Sequence, residues 1–88
     1  MTDKQNRIAH NATVHRLNDL ERFHGLSQRE VATGIGMAEQ TYSNKKNGIR
    51  PFSTKDYVAL ANFFNVSVDY LMGRSDDPSV VSAPGESL

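Results

Sequence analysis

Apolar residues recur along this chain at helical intervals. Val14, Leu17 and Leu20 fall at i, i+3 and i+6, with Phe23 extending the stripe and polar residues between them. This pattern predicts a first helix from Asn11 or Thr13 to Phe23, stopped by Gly25. Residues 1–10 precede it as a mobile arm carrying Lys4 and Arg7. Ser27 followed by Glu30 is a capping box, flanked by Leu26 and Val31 at the positions of a hydrophobic staple. A short second helix follows, with Val31, Ala32 and Ile35 inward and an end near Gly34. A third is expected from Glu39 to Asn47, closed by Gly48, with Thr41, Tyr42 and the stem of Lys45 inward. Ser53 caps a fourth helix whose stripe is Tyr57, Val58, Leu60, Ala61 and Phe64; Asn65 ends it. Ser67, Tyr70 and Leu71 make a short fifth, closed by Gly73. The expectation is an all-α, compact five-helix domain over residues 11–73. From Arg74 the chain turns to Ser, Pro, Gly and Asp and reads as a flexible tail or linker over 74–88.

Length and composition narrow the classes. Eighty-eight residues are a natural single domain with a modest core. With no cysteine, disulfides and cysteine-based zinc sites are excluded. The first twelve residues are polar, and no stretch approaches the roughly 20 apolar residues of a membrane span. A cytoplasmic protein is therefore the expectation. Formal net charge is zero, which by itself argues against a nucleic-acid partner. Its distribution reverses that argument: residues 39–55 carry a net +3 and residues 69–88 a net −3. A phosphate near the middle segment feels the local field, because screening at physiological salt acts over about 8 Å.

The informative stretch is residues 28–48, two short helices about a tight turn. Ala32 lets the second helix cross closely, Gly36 tolerates a positive φ in the turn, and Val31, Ile35, Met37 and Tyr42 bracket it. Gly25-Leu26-Ser27-Gln28, Val31-Ala32, Gly36-Met37, Asn47-Gly48 and the run from Asn65 to Gly73 then stand in the register of a known family. Over residues 14–73 the sequence resembles the Cro/cI (xenobiotic-response-element) type of helix-turn-helix regulators, found among phage repressors and bacterial regulators. The resemblance implies a lambda-repressor-like fold that presents the polar face of the third helix to the DNA major groove. It places Gln28 against phosphate and the first base-reading side chain. It puts Glu39, Gln40, Ser43 and Asn44 on the base-reading face, where Gln and Asn can bond adenine and Glu can accept from cytosine. Lys46, Asn47 and Arg50 are suited to phosphates, and Lys45 joins them if it points outward. The chain departs from the family pattern at Lys45, where an aliphatic residue is usual; at Ala38, where Ser or Thr caps; and at Lys46, where Glu is common.

The function this implies is sequence-specific regulation of transcription, as a dimeric repressor on a palindromic operator in double-stranded DNA. About four cations per subunit imply a log–log salt slope near −7 for the dimer. A rival reading is a protein-interaction module, antitoxin-like or the target of an anti-repressor, with Val80 and Val81 ordering on the partner. A third is the N-terminal piece of a longer repressor. His10, His15 and His24 lack the i, i+4 spacing of a helical metal pair, and no nucleophile motif is present. Neither an enzyme nor a cofactor is expected.

Overall fold

The structure, a computed structural model, describes residues 3–80, with side chains from Arg7 onward. Five helices follow in order: α1 (Asp3–His24), α2 (Gln28–Gly34), α3 (Glu39–Lys46), α4 (Thr54–Phe64) and α5 (Val68–Leu71). Among the described residues there is no strand, and no helix is long and apolar enough to cross a membrane.

The helix starts follow from local chemistry. At α2, Ser27 Oγ accepts from the Glu30 N–H at 3.1 Å while the Glu30 carboxylate accepts from the Ser27 N–H at 2.8 Å. Ser53 and Asp56 repeat this reciprocal pair at α4, and Ser67 Oγ accepts from the Tyr70 N–H at α5. Of the four helices α2–α5, α3 alone opens on a residue, Ala38, with no side-chain cap bond; a missing cap of this kind costs about 1 kcal/mol.

Each helix supplies the core. Leu17 and Leu20 come from α1, Val31 and Ala32 from α2, Tyr42 from α3, Leu60, Ala61 and Phe64 from α4, Leu71 from α5, with Val66 in the last turn between helices. The α2–α3 corner is closed at Gly36, whose φ of +71° is the left-handed region that glycine enters without strain. The Met37 N–H then reaches the Ala32 carbonyl at 2.8 Å and the Gly36 N–H the Thr33 carbonyl at 3.1 Å, which satisfies the end of α2 and fixes where α3 departs. Gly34 has a second role: a Cβ there would stand 2.2 Å from the Phe63 ring, so its bare backbone is what lets α4 approach α2.

Four expectations need correction, the simplest being Val58, which stands off the buried stripe of α4 at 46% exposure. The first helix begins at Asp3, so residues 3–10 continue α1 and are not a separate arm. Its first turns carry few apolar side chains, but tertiary contacts hold them. His10 Nε2 lies 3.1 Å from the Lys46 carbonyl oxygen, and its ring stacks on Phe52. Phe23 does not continue the core stripe and is 83% exposed. A strict three-residue repeat drifts about 60° per step around a helix, and by Phe23 it has left the face that Leu17, Leu20 and Glu21 share. Residues 74–80 pack back on the domain. Arg16 lies 4.2 Å over the Tyr70 ring and 3.0 Å from Asp76, and the Ser67 N–H reaches the Pro78 carbonyl at 3.0 Å. Lys4, Val81 and the remainder of the expected tail lie outside what is described of side chains or backbone.

Candidate nucleic-acid interface

The α3 helix divides cleanly around its circumference. At about 100° per residue, Glu39, Gln40, Ser43, Asn44 and Asn47 fall within about 140° of arc. Glu39, Gln40 and Asn47 are exposed, and Ser43 and Asn44 are half-exposed. Tyr42, Lys45 and Lys46 occupy the opposite arc and face the protein.

The outward face is partly pre-ordered. Gln40 Nε2 donates to Asn44 Oδ1 at 2.9 Å, one turn along. The pair leaves the Gln40 carbonyl oxygen and the Asn44 amide donors free, a fixed acceptor–donor set. Asn47 Nδ2 reaches Ser43 Oγ at 3.4 Å. From α2, Arg29 Nε lies 3.8 Å from the Glu39 carboxylate, both well exposed, which moderates the negative charge at the start of α3. Gln28, the first residue of α2, is half-exposed beside the corner. Past α3, Gly48 adopts φ +81° and the Ile49 N–H returns to the Asn44 carbonyl at 2.9 Å, which sets the loop that carries exposed Arg50.

The inward face departs from expectation. Lys46, read from the sequence as a phosphate contact, is 8% exposed; its Nζ donates to both Glu21 oxygens, at 3.1 and 3.0 Å. Tyr42 is fully buried, and its hydroxyl donates to the same Glu21 carboxylate at 2.6 Å. Burial, then the bond to Glu21 and the charge of that carboxylate, push the phenol well above its ordinary pKa. Lys45 is 16% exposed and pairs with Asp56, the α4 capping-box residue. Burial alone would raise the Asp56 carboxyl. The bond from Lys45, that from the Ser53 N–H and the charge of Lys45 outweigh it and hold the group below the usual carboxylate range. Neither lysine is presented to a phosphate. The reason is positional: they lie three and four residues beyond Tyr42, on the side of the helix that Tyr42 buries.

Thus Gln28, Glu39, Gln40, Ser43, Asn44, Asn47 and Arg50 are all at least half-exposed, while the side chains of Lys45 and Lys46 are turned inward. Lys55 at the start of α4, counted in the charge of residues 39–55 but not among the expected contact residues, is exposed; its place beside the Ser53 cap, just past the Arg50 loop, is the signal for it. No cluster of three or more metal-ligating side chains occurs among the described residues.

Two short helices joined by a glycine corner, the second exposing a polar face, define a helix-turn-helix domain. The chain belongs to the helix-turn-helix family, whose pattern it matches over residues 24–71. Among curated proteins it is 35% identical over 63 residues to an uncharacterized HTH-type transcriptional regulator, YobD, of Bacillus subtilis (strain 168), covering 72% of this chain and 56% of the relative. It is 31% identical over 61 residues to the HTH-type transcriptional regulator ImmR of the same organism, covering 69% of this chain and 48% of the relative. The chain therefore spans about half the length of the curated relatives it matches. No solved structure matches it significantly.

Proposed function

We propose that this protein is a transcriptional repressor that binds double-stranded DNA sequence-specifically, as a dimer on a near-palindromic operator. One α3 would enter each of two major-groove half-sites about 34 Å apart. The observation that carries this reading is the division of α3: its amide-rich face is free and ordered by the Gln40–Asn44 bond, while its other face is anchored in the fold. In this reading Gln40, Asn44, Ser43 and Glu39 meet base edges, and Gln28, Asn47, Arg50 and Lys55 meet the backbone. The names of the two relatives support a regulatory role.

Selection from random duplexes tests it. A symmetric consensus is expected, and Gln40→Ala should relax preference at one position of each half-site. An enriched pool with no consensus, or an unchanged preference in the Gln40→Ala variant, would sink the proposal. The rival protein-interaction reading draws on one observation. Val80 and exposed Phe23 line an open groove of about 870 Å³ with Leu20, Val66, Tyr70 and Pro78. A partner bound there would be displaced by Phe23→Ser without loss of DNA binding.

A further inference from the structure

We infer that Glu21 on α1 and Asp56 on α4 are positioning residues for base reading: by gripping Lys46 and Lys45 they set the rotation of α3 about its own axis. This rests on the reading of the α3 polar face as the DNA-reading surface.

Apolar packing alone gives α3 little resistance to rotation. Tyr42 is its single buried residue, and apolar contact at one point leaves a helix free to roll. Hydrogen-bonded ion pairs are directional where apolar contacts are not. Glu21 takes Tyr42 and Lys46, one turn apart, with both carboxylate oxygens occupied. Asp56 takes Lys45, the neighbouring residue about 100° away around the helix, from a different element. The two carboxylates thus approach α3 from α1 and from α4, and a roll in either direction pulls one lysine from its partner. Asp56 is itself fixed by the Ser53 cap. His10 adds a third hold, on the Lys46 carbonyl at the end of the helix.

The magnitude matters for reading bases. Side chains stand about 5–6 Å from the helix axis, so a roll of only about 20° carries Gln40 and Asn44 about 2 Å sideways. A functional constellation tolerates about 0.5 Å. An unbraced α3 would keep its fold and its backbone contacts and lose base discrimination.

The test compares the parent, Glu21→Gln, and the charge-reversed pair Glu21→Lys/Lys46→Glu. Two readouts are needed: the ratio of affinities for the selected site and for a scrambled duplex, and the rotation of α3 about its own axis relative to α1, read from the phase of the periodic residual dipolar couplings along α3 in the free protein. Glu21→Gln should lower the affinity ratio by about tenfold or more, the scale of one bidentate base contact, with scrambled-duplex affinity no lower than the parent's, because Lys46 is then uncancelled. Its α3 couplings should change while those of α4 and α5 do not. Charge reversal should restore both. A folded Glu21→Gln variant with parent couplings overturns the inference, as does one with changed couplings but an undiminished ratio. If Glu21→Gln does not fold, the reversed pair decides: parent couplings support the brace, and altered couplings or a second unfolded variant overturn it. Should the parent show no preferred site, the DNA-reading proposal fails by itself, and the couplings still judge whether Glu21 orients α3.

Discussion

Salt dependence of operator binding is the most direct check on where the lysines point. Counted from sequence, residues 39–55 offer four cations per subunit; the structure turns Lys45 and Lys46 inward and leaves Arg50 and Lys55 exposed. Two cations per subunit are four per dimer, and at about 0.9 counterion per phosphate the slope of log affinity against log salt is about −3.6. If Arg29 exchanges its loose 3.8 Å contact with Glu39 for a phosphate, the slope steepens to about −5.4. Between 50 and 200 mM salt a slope of −3.6 means a loss of about 150-fold, whereas all four cations would give a loss of about 2 × 10⁴-fold. Fluorescence anisotropy on the selected duplex across that range separates the two. Arg50→Ala should make the slope shallower by about 1.8 for the dimer. A parent slope of −7 or steeper would show that the lysines abandon their carboxylates on binding, and would refute the placement argued above.

Two further predictions concern the buried ion pairs. Lys46→Met leaves the Glu21 carboxylate with only the Tyr42 hydroxyl and should cost about 3–5 kcal/mol of stability in urea unfolding. The triple variant Glu21→Leu/Tyr42→Phe/Lys46→Met leaves no polar group unpaired and should recover most of that loss; equal destabilisation of the two would contradict the network. The second concerns acid. Asp56 is held below its ordinary pKa, so its contribution is intact above about pH 3.9, the unfolded value, and is lost as pH falls through the lower folded value. Thermal unfolding followed by circular dichroism should show Asp56→Asn with a shallower fall in Tm below about pH 4 than the parent; parallel curves would count against it.

Where sequence and structure agree, the signal was local. Ser27 with Glu30, Ser53 with Asp56, and Ser67 each lie within one turn of the backbone they cap. Gly36, Asn65 and the glycines at the other helix ends fall at left-handed positions. The outward set of α3 was legible because its members recur on one arc. The errors arose where the deciding partner was remote. Lys46 meets Glu21 from twenty-five residues away, and nothing in the sequence near either residue marks the other. Positive charge beside a polar face reads as exposed at Lys46, although the position of Tyr42 already turns residues 45 and 46 inward. The helix over Asp3–His10 was missed for a related reason: its support is a ring on Phe52 and a carbonyl on α3, not an apolar stripe of its own.

The inward lysines have an electrostatic consequence beyond stability. Two carboxylates lie beneath the helix proposed to meet DNA, and a bare one would repel the phosphates across about one helix diameter. Over about 10 Å at an effective dielectric of about 20, that repulsion is about 1.7 kcal/mol per unit charge before screening. Lys45 and Lys46 therefore support binding without touching DNA: they cancel Asp56 and Glu21, and leave attraction to Arg50 and Lys55 and discrimination to the amides. A domain so arranged attracts arbitrary DNA weakly, which raises the share of its affinity that depends on sequence. Affinity for scrambled duplex tells the two roles of Lys46 apart. Lys46→Met should weaken it in the folded protein, because Glu21 is then uncancelled. Adding Glu21→Gln removes that charge and should restore the affinity without restoring any cation. If the double variant binds scrambled DNA no better than Lys46→Met alone, Lys46 acts by reaching a phosphate itself, and the account of a neutralised under-layer fails.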